Sequence, residues 1–173
     1  MFFCWEFGED GGVKTHQIIS ELELPLPIAP VFDFFAKAEN LERITPPELH
    51  FYIVSEKPVR IYEGAVIEYR LTLYGIGFSW RTLISRWIPG TRFVDEQIKG
   101  PYSMWRHAHD FSQTPLGTMI IDRVTYALPL YPIGELALPM VRKQLQRIFT
   151  YRQIQVIGCL NQDPSRCRWH VDS

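Results

Sequence analysis

Through the middle of the chain, apolar and polar residues alternate in short runs separated by turn residues. The runs cover about Leu49 to Ser55, Ala65 to Tyr74, Phe78 to Ile88, Arg92 to Ile98, Tyr102 to Phe111 and Thr118 to Leu128. The breaks are Tyr62-Glu63-Gly64, Gly75-Ile76-Gly77, Pro89-Gly90, Lys99-Gly100-Pro101 and Thr114-Pro115-Leu116-Gly117. A period of two marks a strand with one buried face, and breaks this short leave no room for the crossover helices of a parallel sheet. The pattern predicts an antiparallel meander. Upstream, His16 to Leu24 partly alternates and predicts a first strand, closed by Pro25, Pro27 and Pro30. Val31, Phe32, Phe34 and Phe35 then predict a short helix with Pro30 in its first turn, where a missing N–H is harmless. A second short helical segment reaches Ile44 and ends at Thr45-Pro46-Pro47.

After Leu128-Pro129 the period changes. Ile133, Leu136, Ala137, Met140, Val141, Leu145, Ile148 and Phe149 recur at helical spacing, with Arg142, Lys143, Gln146, Arg147 and Arg152 on other faces. This predicts one amphipathic helix from about Ile133 to Ile157, bent or restarted near Leu136 by Pro139. The meander has one apolar face and the helix one apolar stripe, and they are buried most simply against each other. The expected architecture is therefore α+β: a curved antiparallel sheet of about seven strands, two short helices after the first strand, and a long C-terminal helix in the concavity. Residues 1–14 read as a flexible lead, 15–160 as a single domain and 161–173 as a loose tail.

Composition narrows the function classes. The chain has 173 residues, 46% hydrophobic and 14% aromatic, with a formal net charge of -1. It is long enough for a real core and carries no basic excess with which to neutralise phosphates, so no nucleic-acid partner is expected. No apolar run approaches the roughly 20 residues that span a bilayer, and the N-terminus lacks a basic lead and a small-residue cleavage site. Cys4, Cys159 and Cys167 make neither a disulfide framework nor a zinc ligand set, which favours a reducing, cytoplasmic location.

The order of elements, with Gly100-Pro101-Tyr102, Trp105, His107, His109, Phe111, Asp122, Val124, Tyr126, Leu128-Pro129 and Phe149-Thr150-Tyr151-Arg152, resembles the helix-grip fold of the START/polyketide-cyclase/birch-pollen-allergen (SRPBCC) superfamily. The resemblance covers about His16 to Leu160 and is greatest to a bacterial branch described as ligand-binding or polyketide-cyclase-like. It implies an internal cavity for a small molecule. The superfamily includes carriers, receptors, cyclases and oxygenase subunits, so fold alone does not give function. The Rieske and iron-binding signatures of the oxygenases are absent from this sequence.

Alternation sorts the side chains. On the run Tyr102 to Phe111, Trp105, His107, His109 and Phe111 share a face without fixed charge and are placed inward. Ile120, Asp122, Val124, Tyr126 and Leu128 form the corresponding face of the next run. Phe78, Trp80, Thr82 and Ile84 are placed inward, as are Ile67, Tyr69, Leu71 and Leu73. Arg92 to Ile98 is ambiguous, with Val94 and Ile98 opposing Phe93, Asp95 and Gln97. Pairing Phe111 with Thr118 closes the last hairpin and sets His109 against Ile120, His107 against Asp122 and Trp105 against Val124, within hydrogen-bond reach.

The expected ligand-binding set is Tyr69, Trp80, Thr82, Trp105, His107, His109, Asp122, Tyr126 and Met140. His107 and Asp122 are the candidates for acid–base catalysis. The two histidines with Asp122 read as an internally hydrogen-bonded group that shapes the pocket rather than as a metal site, and no cofactor is expected. Arg142, Lys143, Arg147 and Arg152 read as a solvated helix face. Three functions fit. The first is a carrier or sensor of a hydrophobic small molecule, aromatic or lipid-like, as monomer or homodimer. The second is a cyclase, dehydratase or hydrolase using His107 and Asp122. The third is an interaction module that docks through Phe2, Phe3, Trp5 and Phe7.

Overall fold

The computed structural model describes residues 2–10 and 13–160, with side chains described from residue 14 onward. Its strands are β1 (Phe2–Asp10), β2 (Val13–Leu24), β3 (Tyr52–Ile53), β4 (Val66–Leu73), β5 (Ile76–Ile88), β6 (Arg92–Lys99), β7 (Met104–Thr114) and β8 (Gly117–Ala127). They form one antiparallel sheet in the order β1-β2-β8-β7-β6-β5-β4-β3. All seven expected strands are present, although β3 keeps only two residues. The helices are α1 (Ile28–Phe35), α2 (Glu39–Arg43) and α3 (Leu138–Leu160), with 3₁₀ turns at Pro47–Leu49 and Ile133–Ala137.

Three expectations are corrected. Phe2–Asp10, expected as a flexible lead, is a strand paired with β2 from Phe2↔Glu21 to Asp10↔Val13. The side chains of Phe2, Phe3, Trp5 and Phe7, on which the interaction-module reading rests, lie outside the described residues, as does the C-terminal tail. The β7–β8 hairpin is also tighter than expected. Thr114 pairs with Gly117, so Phe111 faces Ile120, His109 faces Asp122, His107 faces Val124 and Trp105 faces Tyr126. The register moved by two residues, which changes the partners but keeps every side chain on its face. Finally, Cys159 is disulfide-bonded, so cysteine usage no longer argues for a reducing compartment. Among the described residues, no helix is long and apolar enough to cross a membrane.

β2 and β8, far apart in sequence, lie beside each other in the sheet, with Ile18 opposite Val124 and Ser20 opposite Asp122. Register shifts at Arg81/Thr82 and Ile84/Arg86 mark irregularities between β5 and β6. Such bulges bend and twist a strand, which helps a sheet curl around a helix. Gly117 (φ 145°) lets the hairpin approach β2, because a Cβ there would run into the Leu24 carbonyl.

Pro139 cannot sit in a helix interior, and it falls in the first turn of α3 after a 3₁₀ lead-in. The helix then buries Leu145, Phe149 and Val156 against the sheet, and Gln153 donates to Ser20 Oγ (2.8 Å) and the Glu21 carbonyl (3.0 Å). One apolar cluster lies under α1, around Phe32, Phe93, Phe111 and Ile120. A second joins Leu145 and Phe149 to Ile18, Val124 and Tyr126. A third, Ala38 with Ile53, Ile67, Tyr69 and Ile84, closes the opposite side. Between these clusters a space remains.

Candidate functional site: a cavity with a charged floor

The space is a cavity of about 170 Å³ between α3 and the concave face of the sheet. Period-two alternation delivers its walls. β4 contributes Ile67, Tyr69, Leu71 and Leu73, and β5 contributes Trp80, Thr82 and Ile84. β6 adds Phe93 and Asp95, β7 adds Trp105, His107 and His109, and α3 adds Leu145, Ile148, Phe149 and Arg152. Trp80 Nε1 donates to Thr82 Oγ1 at 3.0 Å, which satisfies two polar groups in an otherwise apolar wall.

Six of the nine expected ligand-binding residues line this cavity: Tyr69, Trp80, Thr82, Trp105, His107 and His109. Asp122 is buried behind the two histidines. Tyr126 is fully buried behind the wall, against His16, Tyr102 and Trp105, and burial pushes its phenol up to about 12. Met140 is half exposed and outside the lining, because the 3₁₀ turn and Pro139 delay the start of α3.

Two residues escaped the sequence reading. Asp95 lay on the ambiguous run, and its neighbour on the same face, Phe93, was the signal that this face points inward. Arg152, expected on a solvated face, lines the cavity. It stands three residues after Phe149 and four after Ile148, on the stripe that meets the sheet.

Together these residues form a compact charged floor. Asp122 Oδ1 lies 3.2 Å from His107 Nε2 and 2.6 Å from His109 Nδ1. Asp95 Oδ2 lies 3.1 Å from His109 Nε2 and 3.6 Å from His107 Nδ1. The imidazole rings stand 3.8 Å apart, and the Phe93 ring stacks on His109 at 4.0 Å. The Arg152 guanidinium carbon sits 5.0 Å from the centre of the Phe149 ring. Its Nε is buried and has no hydrogen-bond partner among the described residues.

Burial disfavours ionisation of both carboxyls, but their partners outweigh it. Asp122 is held far below the usual carboxylate range by the charge of His109 and hydrogen bonds from both imidazoles. Asp95 is lowered through its bond to His109 and the charges of His107, His109 and Arg152. Burial, then the charge of His109, push His107 down. Burial works against His109 too, yet Asp122 and Asp95 together raise it. One imidazole thus favours the neutral form and the other the charged form.

These shifts set a pH window. The lowered carboxyls contribute stability that is present above about pH 4 and lost as pH falls through their folded values. Raised His109 contributes fully below about pH 6.5, and this is lost as pH rises through its folded value; lowered His107 acts in the opposite sense. Denaturant midpoints followed against pH should fall steeply in the acid range and show only a shallow net change near neutrality. Asp122→Asn should flatten the acid limb, and an unchanged acid limb in that variant would contradict these charge assignments.

No family model matches the sequence, and no curated protein matches it. Solved structures do match. The Zhui aromatase/cyclase from Streptomyces sp. R1128 superposes with a TM-score of 0.69 at 13% identity, covering 86% of this chain and 94% of that one. Protein Ms6760 from Mycobacterium smegmatis gives 0.62 at 17% identity, covering 91% and 97%. Ara h 8.0201 gives 0.59 at 17% identity, covering 83% and 99%. At these identities the likeness is one of fold. The chain shares with these proteins the helix-grip α+β fold, a curved antiparallel sheet around a long C-terminal helix, as its order of elements implied.

Proposed function

We propose that this protein binds a hydrophobic small molecule, aromatic or lipid-like, in the cavity, with one anionic or carbonyl group turned toward the charged floor. One observation carries the reading: a mainly apolar, aromatic wall with one cluster of buried charged and imidazole groups, beside which Arg152 has an Nε without a partner among the described residues. A buried donor without a partner is costly, and a ligand oxygen would satisfy it. Size limits the occupant. A cavity of about 150 Å³ takes a benzene ring, so about 170 Å³ encloses one ring with a small substituent. A larger ligand has to displace the rim.

Phenylpropionate and phenylpropanol, differing in the anionic group, are suitable probes for titration calorimetry. The acid should bind more tightly by about 1.5–3 kcal/mol, the scale of a hydrogen bond to a charged group. Arg152→Met should erase that difference. Ala38→Phe, which fills the cavity from α2's leading edge, should abolish binding of both probes. Undiminished binding in Ala38→Phe would refute the cavity as the site.

A second reading, an enzyme of the cyclase, dehydratase or hydrolase type, is favoured by the histidine–aspartate contacts facing the same cavity. It needs proton transfer by His107 or His109, oriented by Asp122. In that case Asp122→Asn would cut turnover by orders of magnitude with little change in ligand affinity. If the floor only anchors the ligand, the same substitution weakens binding by about 1–2 kcal/mol.

A further inference from the structure

The two histidines use their ring nitrogens in a divided way. His107 turns Nε2 and His109 turns Nδ1 to Asp122 Oδ1, at 3.2 and 2.6 Å. The opposite nitrogens, His107 Nδ1 and His109 Nε2, both face Asp95 Oδ2, at 3.6 and 3.1 Å. These three outward donors lie within 4.8 Å of one another. Asp95, His107 and His109 line the cavity, whereas Asp122 stands behind them.

From this the geometry points to a binding site for one divalent first-row transition metal ion, ligated by Asp95, His107 and His109 and open toward the cavity. Four features support the assignment. Donors about 2.0–2.1 Å from a common ion stand roughly 3.0–3.5 Å apart along the edges of an octahedron or tetrahedron, close to the carboxylate–imidazole separations here. Asp122 occupies the place of the outer carboxylate that accepts the second N–H of a ligating imidazole, fixing its tautomer and aiming the other nitrogen at the ion. The donors also sit on rigid elements. His107 and His109 are alternate residues of β7, and Asp95 is the cross-strand partner of His107 on β6.

Charge is the fourth feature. Asp95 offers a carboxylate as ligand and Asp122 a second one behind the imidazoles, so a divalent cation bound there would lie close to two anionic side chains. Two imidazoles with one carboxylate suit zinc, iron, nickel or copper rather than calcium or magnesium. The open positions would face the cavity on the side of Arg152, where a ligand oxygen could touch both. The site does not depend on which organic ligand the cavity takes.

The test uses the full-length, tag-free protein stripped with EDTA. Titration with Co²⁺ should give visible d–d absorption that saturates at one equivalent, and Zn²⁺ should displace it. Asp122→Asn should weaken Zn²⁺ binding by about 10–100-fold, and Asp95→Asn by more, with circular dichroism confirming that both variants fold. Phenylpropionate affinity of the stripped protein, measured separately, isolates failure of this site from failure of the ligand-binding proposal. The assignment is overturned if the wild-type chain takes up no Co²⁺ from excess metal. It is equally overturned if uptake is unchanged in folded Asp95→Asn, which would place the ion elsewhere.

Discussion

Asp122→Ala is expected to lower the unfolding free energy by about 3–5 kcal/mol, the cost of breaking a buried ion pair by removing one partner. Asp122 is 6% exposed, and a single one of its oxygens meets both imidazoles. Without it, His109 loses the main charge that raises it, and two buried imidazoles are left with Asp95 alone. For a domain stabilised by about 5–15 kcal/mol this loss is a large fraction of the whole. Asp122→Asn keeps the shape and one acceptor and should cost clearly less. Urea denaturation of the two variants beside wild type checks the ordering. Equal losses would mean that the carboxylate charge is not what holds the floor together.

Phe149→Ala is expected to cost a similar amount, about 3–5 kcal/mol, for a different reason. Phe149 is 2% exposed and is the point at which α3 grips the sheet. Its ring meets the His107 edge at 5.6 Å, carries the Arg152 guanidinium, and packs with Ile18, Val124 and Tyr126. Truncation removes buried apolar area and joins the void to the existing cavity. The surroundings cannot collapse into it, because the strands on the far side are fixed by their ladder. Phe149→Leu should recover most of the loss. The same truncation should widen the range of probes that bind, since it enlarges the cavity beside Arg152. A Phe149→Ala protein as stable as wild type would show that α3 is not held through this contact.

How far the chain could be read in advance follows from the physics of each element. Strand faces were legible because a period of two is local. Trp105, His107, His109 and Asp122 point inward as their alternation required. Their pairing was not fixed by that period, since a slip of two residues leaves every face unchanged. Only the tight Thr114–Gly117 closure selects the actual register, and with it the His109–Asp122 opposition. Asp95 was obscured because β6 runs beside an irregular β5, where alternation is a poor guide. The charge of Arg152 conceals its place in the cavity. Its helical position named the inner stripe correctly, but an arginine is read as solvated until the carboxylates facing it are known. The Gly-rich end of this stretch reads as a flexible lead, although Phe2–Asp10 pairs with β2 as a strand.

The most direct test of the central claim is native mass spectrometry of the protein purified from its own cells. If the cavity is a binding site, part of the population should carry one small-molecule adduct that is released by organic solvent and extracts as a hydrophobic compound bearing an oxygen function. Ala38→Phe, prepared in the same way, should leave the cells without it. Wild-type protein found only at its bare mass, and unable to take up phenylpropionate or phenylpropanol, would contradict the account.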